Sequence, residues 1–154
     1  MGRVKQIGLL LTTDIRLHDL VKAWAREFEF DVFIVASVRT AAEIAINWAK
    51  GREQQQDGAW IVVDREAVVT HVQHAMDSAH FRRGALDVMP LVGGKIVWKP
   101  GENYWEISLA RLQKMHATAR RMGIECGADW TSPKTDLDHF QVANWRDLPL
   151  PGEA

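Results

Sequence analysis

Two short stretches of the chain carry side chains whose types and spacing suit metal chemistry. Ser78-Ala79-His80-Phe81-Arg82-Arg83-Gly84-Ala85-Leu86-Asp87 offers an imidazole and, seven residues later, a carboxylate. Asp136-Leu137-Asp138-His139 offers a second imidazole, with a carboxylate three residues before it. His80, His139 and Asp87 together give two nitrogens and one oxygen. That set leaves one corner of a tetrahedral zinc site open for water, the pattern of catalytic rather than structural zinc. Zinc in such a site lowers the pKa of water toward neutrality and polarises a carbonyl. Asp136 is then free to move the proton as general base, and Asp138 beside it is a rival for the task. The implied chemistry is hydrolysis.

The donors must be brought together by elements that lie far apart in sequence. His80 and Asp87 are too widely spaced for one helical turn, so a loop residue and a strand residue have to converge, with Gly84 expected to let the backbone turn tightly. Ala85 to Pro90 reads as the strand, with Ala85 and Asp87 on one face. Asp138 to Val142 reads as a second strand delivering His139, with Asp136 on the loop before it. Around these, Thr13 or Asp14 caps a helix with apolar positions Ile15, Leu17, Leu20, Val21, Trp24, Ala25 and Phe28. Val32 to Val38 is β-rich and continuous, hence a buried strand. Thr40 and Glu43 form a capping box for a helix over Ala41 to Lys50 that Gly51 ends.

Arg52 to Gly58 is polar and glutamine-rich and reads as a mobile loop, followed by short extended pieces at Ala59 to Val63 and Ala67 to Thr70. Gly93-Gly94 marks a turn before a short strand at Lys95 to Trp98. Tyr104 to Met122 is the longest helical pattern, its core face formed by Trp105, Ile107 or Ser108, Leu109, Leu112, Met115, Ala119 and Met122. Ile124 to Cys126 is a short strand. Long helices with short strands and no βαβ regularity indicate an α+β class, a small antiparallel sheet flanked by helices.

At 154 residues, one domain over 1–154 is expected. A formal net charge of −1 argues against broad electrostatic binding to nucleic acid, which needs a strongly basic face. Cys126 is the only cysteine, so no intrachain disulfide forms, which suits a reducing compartment. It reads as a small core side chain, since no His–Cys arrangement makes it a nucleophile. Ile7 to Leu11 is too short for a signal-peptide core, so the chain is expected to be cytoplasmic as synthesised, without a membrane anchor, and monomeric. His71 and His74 read as solvated loop residues rather than a second metal pair, and His18 and His116 as surface residues on helices.

The two stretches resemble the M15 family of zinc peptidases, the D,D-carboxypeptidase and L-alanyl-D-glutamate endopeptidase group that includes many phage endolysins. That family carries Ser-x-His-x-x-Gly-x-Ala-x-Asp, matched in register by Ser78, His80, Ala85 and Asp87. Its later Glu/Asp-x-x-His segment is matched by Asp136 and His139. Gly127-Ala128-Asp129-Trp130 and His139-Phe140-Gln141 are similar to its Gly-Gly-Asp-Trp and His-Phe-Gln, and Ser37-Val38-Arg39-Thr40 to its Gly-Tyr-Arg-Ser turn. The chain departs where Arg83 takes the family glycine's place and Val38 that of the tyrosine.

The resemblance implies a hedgehog/DD-peptidase-like fold, Zn2+ held by His80, Asp87 and His139, and Asp136 as base. It implies Arg39 as a carboxylate clamp, with Ser78 and Trp130 as further substrate contacts. The substrate implied is a peptidoglycan stem peptide, cut at L-Ala–D-Glu rather than D-Ala–D-Ala and reached through a membrane lesion. The competing readings are a D-Ala–D-Ala carboxypeptidase or dipeptidase, and a non-catalytic module that holds zinc and a wall peptide without cutting it.

Overall fold

The computed structural model describes residues 1–69 and 78–150. His71, His74, Thr70 and the tail residues Pro151 and Gly152 lie outside these. Helix α1 spans Ile15–Glu27, and the Asp14 carboxylate caps it by accepting from the Arg16 N–H. It buries Leu17, Leu20, Val21, Ala23 and Trp24. Helix α2, Ala41–Ala49, is capped by Thr40, whose hydroxyl accepts from the Glu43 N–H. Helix α3, Trp105–Arg121, buries Leu112, Met115 and Ala119 as the pattern predicts.

Two features of the helices correct the sequence reading. Of the alternatives Ile107 and Ser108 it is Ser108 that is buried; Met122 is exposed, while His116, expected at the surface, is buried on α3. Its ring lies against Phe140 and donates from Nε2 to the Leu137 carbonyl at 2.7 Å, so its polar edge is satisfied inside the protein. His18 is half-buried rather than fully at the surface.

The sheet is built from β1 (Val4–Lys5), β2 (Val32–Ala36), β5 (Ala85–Val92), β6 (Lys95–Ile96), β7 (Ile124–Cys126) and β8 (His139–Val142), in the order β1-β2-β5-β8-β7 with β6 paired to β5. All pairs are antiparallel except β1 with β2, which runs parallel. A separate hairpin joins β3 (Arg52–Gln54) to β4 (Trp60–Val62). The segment expected to be a mobile loop is therefore half strand. Neither face of this hairpin is buried, so its sequence shows no alternation by which to recognise it.

Register decides what each strand shows to which side. Leu86 pairs with Phe140, and Phe140 with Cys126. All three are fully buried, and Phe140 meets Trp24 of α1 edge to face at 4.8 Å. Helices α1 and α3 thus cover this side of the sheet. Because side chains alternate along a strand, Ala85, Asp87, His139, Gln141 and Glu125 fall together on the other side, where Asp87 pairs with His139 and Gln141 with both Ala85 and Glu125.

The loop into β5 differs from the expectation placed on Gly84. The left-handed residue there is Arg83, at φ +64°, which stands where the family pattern has glycine. Gly84 is needed instead for packing, since a Cβ on it would lie 2.8 Å from the Trp145 Cβ. Left-handed backbone costs a residue with a side chain roughly 1–2 kcal/mol. Arg83→Gly is therefore expected to stabilise the protein by up to about 1 kcal/mol after the entropy glycine adds to the unfolded chain. Gly84→Ala is expected to destabilise it by about 1–3 kcal/mol of overpacking. Denaturant melts of the two variants check both signs.

Cys126 sits in the core as expected, and burial pushes its thiol up to about 11. The thiolate is the reactive form, so the native protein should resist a thiol reagent at pH 8 and react fully once unfolded. Rapid labelling of the native chain would contradict this burial.

Candidate metal centre

The His80 loop, β5 and β8 converge on one point. His80, Asp87 and His139 place a ring nitrogen, a carboxylate oxygen and a ring nitrogen within 4.8 Å of one another, all three buried. Asp87 Oδ1 lies 3.2 Å from His80 Nε2 and 3.1 Å from His139 Nδ1. A bulge in β2 between Ile34 and Ala36 sets Ala36 opposite Asp87 and turns the following Ser37 carbonyl toward His80. His80 donates from Nδ1 to that carbonyl at 2.5 Å. His139 donates from Nε2 to Gln141 Oε1 at 2.8 Å. Both far nitrogens therefore act as donors, which leaves both near nitrogens facing the same carboxylate oxygen, with a proton there in the imidazolium form and a lone pair for a cation in the neutral form.

Three electron-rich atoms meeting in a buried place repel one another unless a cation joins them. This is how the donor set fits zinc, which takes imidazole nitrogen and carboxylate oxygen at about 2.0–2.2 Å in sites of this composition. The titration of the cluster points the same way. Burial alone would raise the Asp87 carboxyl, but the two imidazoles outweigh it and hold it well below the usual carboxylate range. Burial lowers His139, and the hydrogen bond and charge of Asp87 more than reverse this, so its pKa lies above the ordinary imidazole value. The pocket favours positive charge at its centre.

Asp136 and Asp138 stand beside this cluster. Their carboxylate oxygens and one of Asp87 lie within 4.8 Å of one another. Burial, then the hydrogen bond with Asp136 and the charge of Asp87, push Asp138 up to about 9. At neutral pH Asp138 therefore carries a proton that it shares with Asp136. The loop bearing both is fixed from two sides. The Asp136 N–H donates to the Gly127 carbonyl at 2.9 Å, and a Cβ on Gly127 would overlap the Asp136 carbonyl oxygen. His116 holds Leu137, between the two acids, from below.

The three expected substrate residues fall at different places around the centre. Arg39 forms an ion pair with Asp87 Oδ2 at 2.8 Å, so its guanidinium borders the candidate metal ligands directly. Trp130 lies against His139, ring centroids 4.9 Å apart and tilted by 45°. Ser78 is half-buried two residues before His80, and its carbonyl accepts from the Arg82 N–H at 3.3 Å.

Sequence reasoning missed the supports: the Ser37 carbonyl, His116, and the role of Gln141 and Glu125 behind His139. The alternation Ile124-Glu125-Cys126 was the available signal, since an acid between two buried apolar residues must face the other side of the sheet.

A sequence profile of the phage L-alanyl-D-glutamate peptidases matches residues 9–145, nearly the whole chain and both stretches that carry the candidate donors. The chain belongs to this family. The L-alanyl-D-glutamate peptidase of Escherichia phage T5 is 29% identical to it over 105 residues, which is 67% of this chain and 61% of that protein. The match thus spans less than two thirds of that family member's length. In fold, the chain is similar to the crystal structure of a Serratia marcescens L-Ala D-Glu endopeptidase. The TM-score is 0.63, with 94% of this chain and 92% of that one covered at 18% identity. The α+β class and the DD-peptidase-like arrangement expected from sequence stand, with the parallel β1–β2 pair added to an otherwise antiparallel sheet. Among the described residues, no helix is long and apolar enough to cross a membrane.

Proposed function

We propose that this chain is a zinc-dependent peptidoglycan peptidase that hydrolyses the L-Ala–D-Glu bond of the stem peptide. The observation that carries the reading is the convergence of His80, Asp87 and His139, with a separate acid pair alongside, in a member of the phage L-alanyl-D-glutamate peptidase family. Separate acids favour an enzyme over a module that only binds, because a structural site has no use for a base. The substrate lies in the cell wall, so the enzyme acts once a membrane lesion releases it, and it works as a monomer.

Zinc held by His80, Asp87 and His139 would polarise the scissile carbonyl and make water acidic near neutral pH. Asp136 takes the proton from the attacking water as its oxygen bonds to the L-Ala carbonyl carbon. The C–N bond then breaks, and Asp136 returns the proton to the departing D-Glu nitrogen. Asp138 supports Asp136 by the hydrogen bond between them. Arg39, whose planar fork suits carboxylates, meets the free carboxylate of D-Glu. Ser78 and Trp130 line the approach.

Digestion of purified Gram-negative peptidoglycan, followed by labelling of new amino termini, tests the reading. N-terminal D-Glu should appear, vanish with a chelator and return with zinc. Released D-Ala without new D-Glu termini would move the activity to D-Ala–D-Ala cleavage. Zinc binding without any new terminus would leave only the binding module.

A further inference from the structure

Behind His139, on the side away from Asp87, three side chains form a closed circuit. Gln141 Oε1 accepts from His139 Nε2, and Gln141 Nε2 donates to Glu125 Oε1 at 3.1 Å. The same Glu125 oxygen accepts from Trp130 Nε1 at 3.0 Å. Trp130 then returns to His139 through its ring face. Glu125 thus touches neither the ligands nor the acid pair in this network, yet it anchors both groups that hold the His139 ring. The sheet explains the placement, because Glu125 and Gln141 are register partners across β7 and β8.

A neutral imidazole has one donor nitrogen and one acceptor nitrogen, and the proton's place is set by the partner it finds. A Gln amide can rotate to present either its oxygen or its NH2 group. With the NH2 group turned to His139, the ring would have to accept at Nε2 and carry its proton on Nδ1, the nitrogen that faces Asp87. Glu125 prevents this. A carboxylate can only accept, so it draws the Gln141 amide nitrogen to itself and leaves the oxygen for His139. The order Glu125 acceptor, Gln141 donor and acceptor, His139 donor is self-consistent in one direction only.

Resting on the metal centre proposed above, we infer that Glu125 is a positioning residue that sets the His139 tautomer. It acts through Gln141 to keep Nδ1 bare toward the cation, and through Trp130 to keep the ring from swinging. Partners of this kind behind a ligating histidine are worth about 10–100-fold in metal affinity.

Competition against a fluorescent zinc chelator, using the full chain, tests this. Glu125→Ala should weaken zinc binding by about 10–100-fold, with the circular dichroism of the zinc-free protein unchanged. Glu125→Gln can present either its oxygen or its NH2 group, so it removes the acceptor-only constraint and should recover only part of the affinity that Glu125→Ala loses. Glu125→Ala combined with Gln141→Leu should lose less than the sum of the two single changes, because both act on one ring.

Nitrogen NMR of the zinc-loaded wild type checks the same point without a substitution. His139 should carry its proton on Nε2. Wild-type affinity in a folded Glu125→Ala variant, strictly additive losses, or a proton on Nδ1 would overturn the inference. A wild type that binds no zinc would instead overturn the proposed metal centre, so the two failures are distinguishable.

Discussion

Asp87→Asn is expected to strip the protein of zinc and of turnover while leaving it folded. The change keeps the shape and one accepting oxygen, so the hydrogen bond from Arg39 and the strand pairing with His139 survive. What is lost is the negative charge toward which both imidazoles turn, at 3.1 and 3.2 Å. A metal acting as Lewis acid contributes several kcal/mol to transition-state stabilisation. At a factor of ten per 1.36 kcal/mol, its loss lowers kcat/KM by about three orders of magnitude or more. Zinc stoichiometry after dialysis and rates on purified peptidoglycan measure the two effects. Stoichiometric zinc and near-native rates in this variant would remove Asp87 from the site.

The second large effect separates the two acids. Asp136→Asn should retain zinc and lose about two to four orders of magnitude in kcat, the usual contribution of a general base. Asp138→Asn should cost far less. Asp138 already carries a proton that it shares with Asp136, and an asparagine amide donates in its place, so about tenfold, the worth of one altered hydrogen bond, is the expected loss. Single-turnover rates at saturating substrate compare them directly. A reversed order would make Asp138 the base.

The convergence of the candidate donors was legible because two motifs stand in the right order and strand alternation fixes which face Asp87 and His139 share. Asp87 and Ala85 had to share a face, and the register bears this out. Arg83 shows the limit of such reading. A glycine one place late suggested a tight turn at Gly84, whereas the backbone forces Arg83 into the left-handed region and reserves Gly84 for contact with Trp145. His116 was misread because a histidine on a helix carries no mark of burial. Its role depends on Leu137, a residue 21 positions away whose carbonyl only the fold brings near. Glu125 and Gln141 were hidden for the same reason, since pairing between β7 and β8 is a long-range fact.

Strands β5 and β8 each spell two messages in alternate letters, one addressed to the helices and one to the proposed cation. Leu86 and Phe140 belong to the first, Asp87 and His139 to the second. Substitutions can therefore rewrite either message alone, but deleting a single residue from β8 would exchange the two, sending an imidazole into the hydrocarbon interior and a phenyl ring to the reaction centre. Such a frameshift in space should abolish folding and chemistry together, and length in these strands is consequently under tighter constraint than identity.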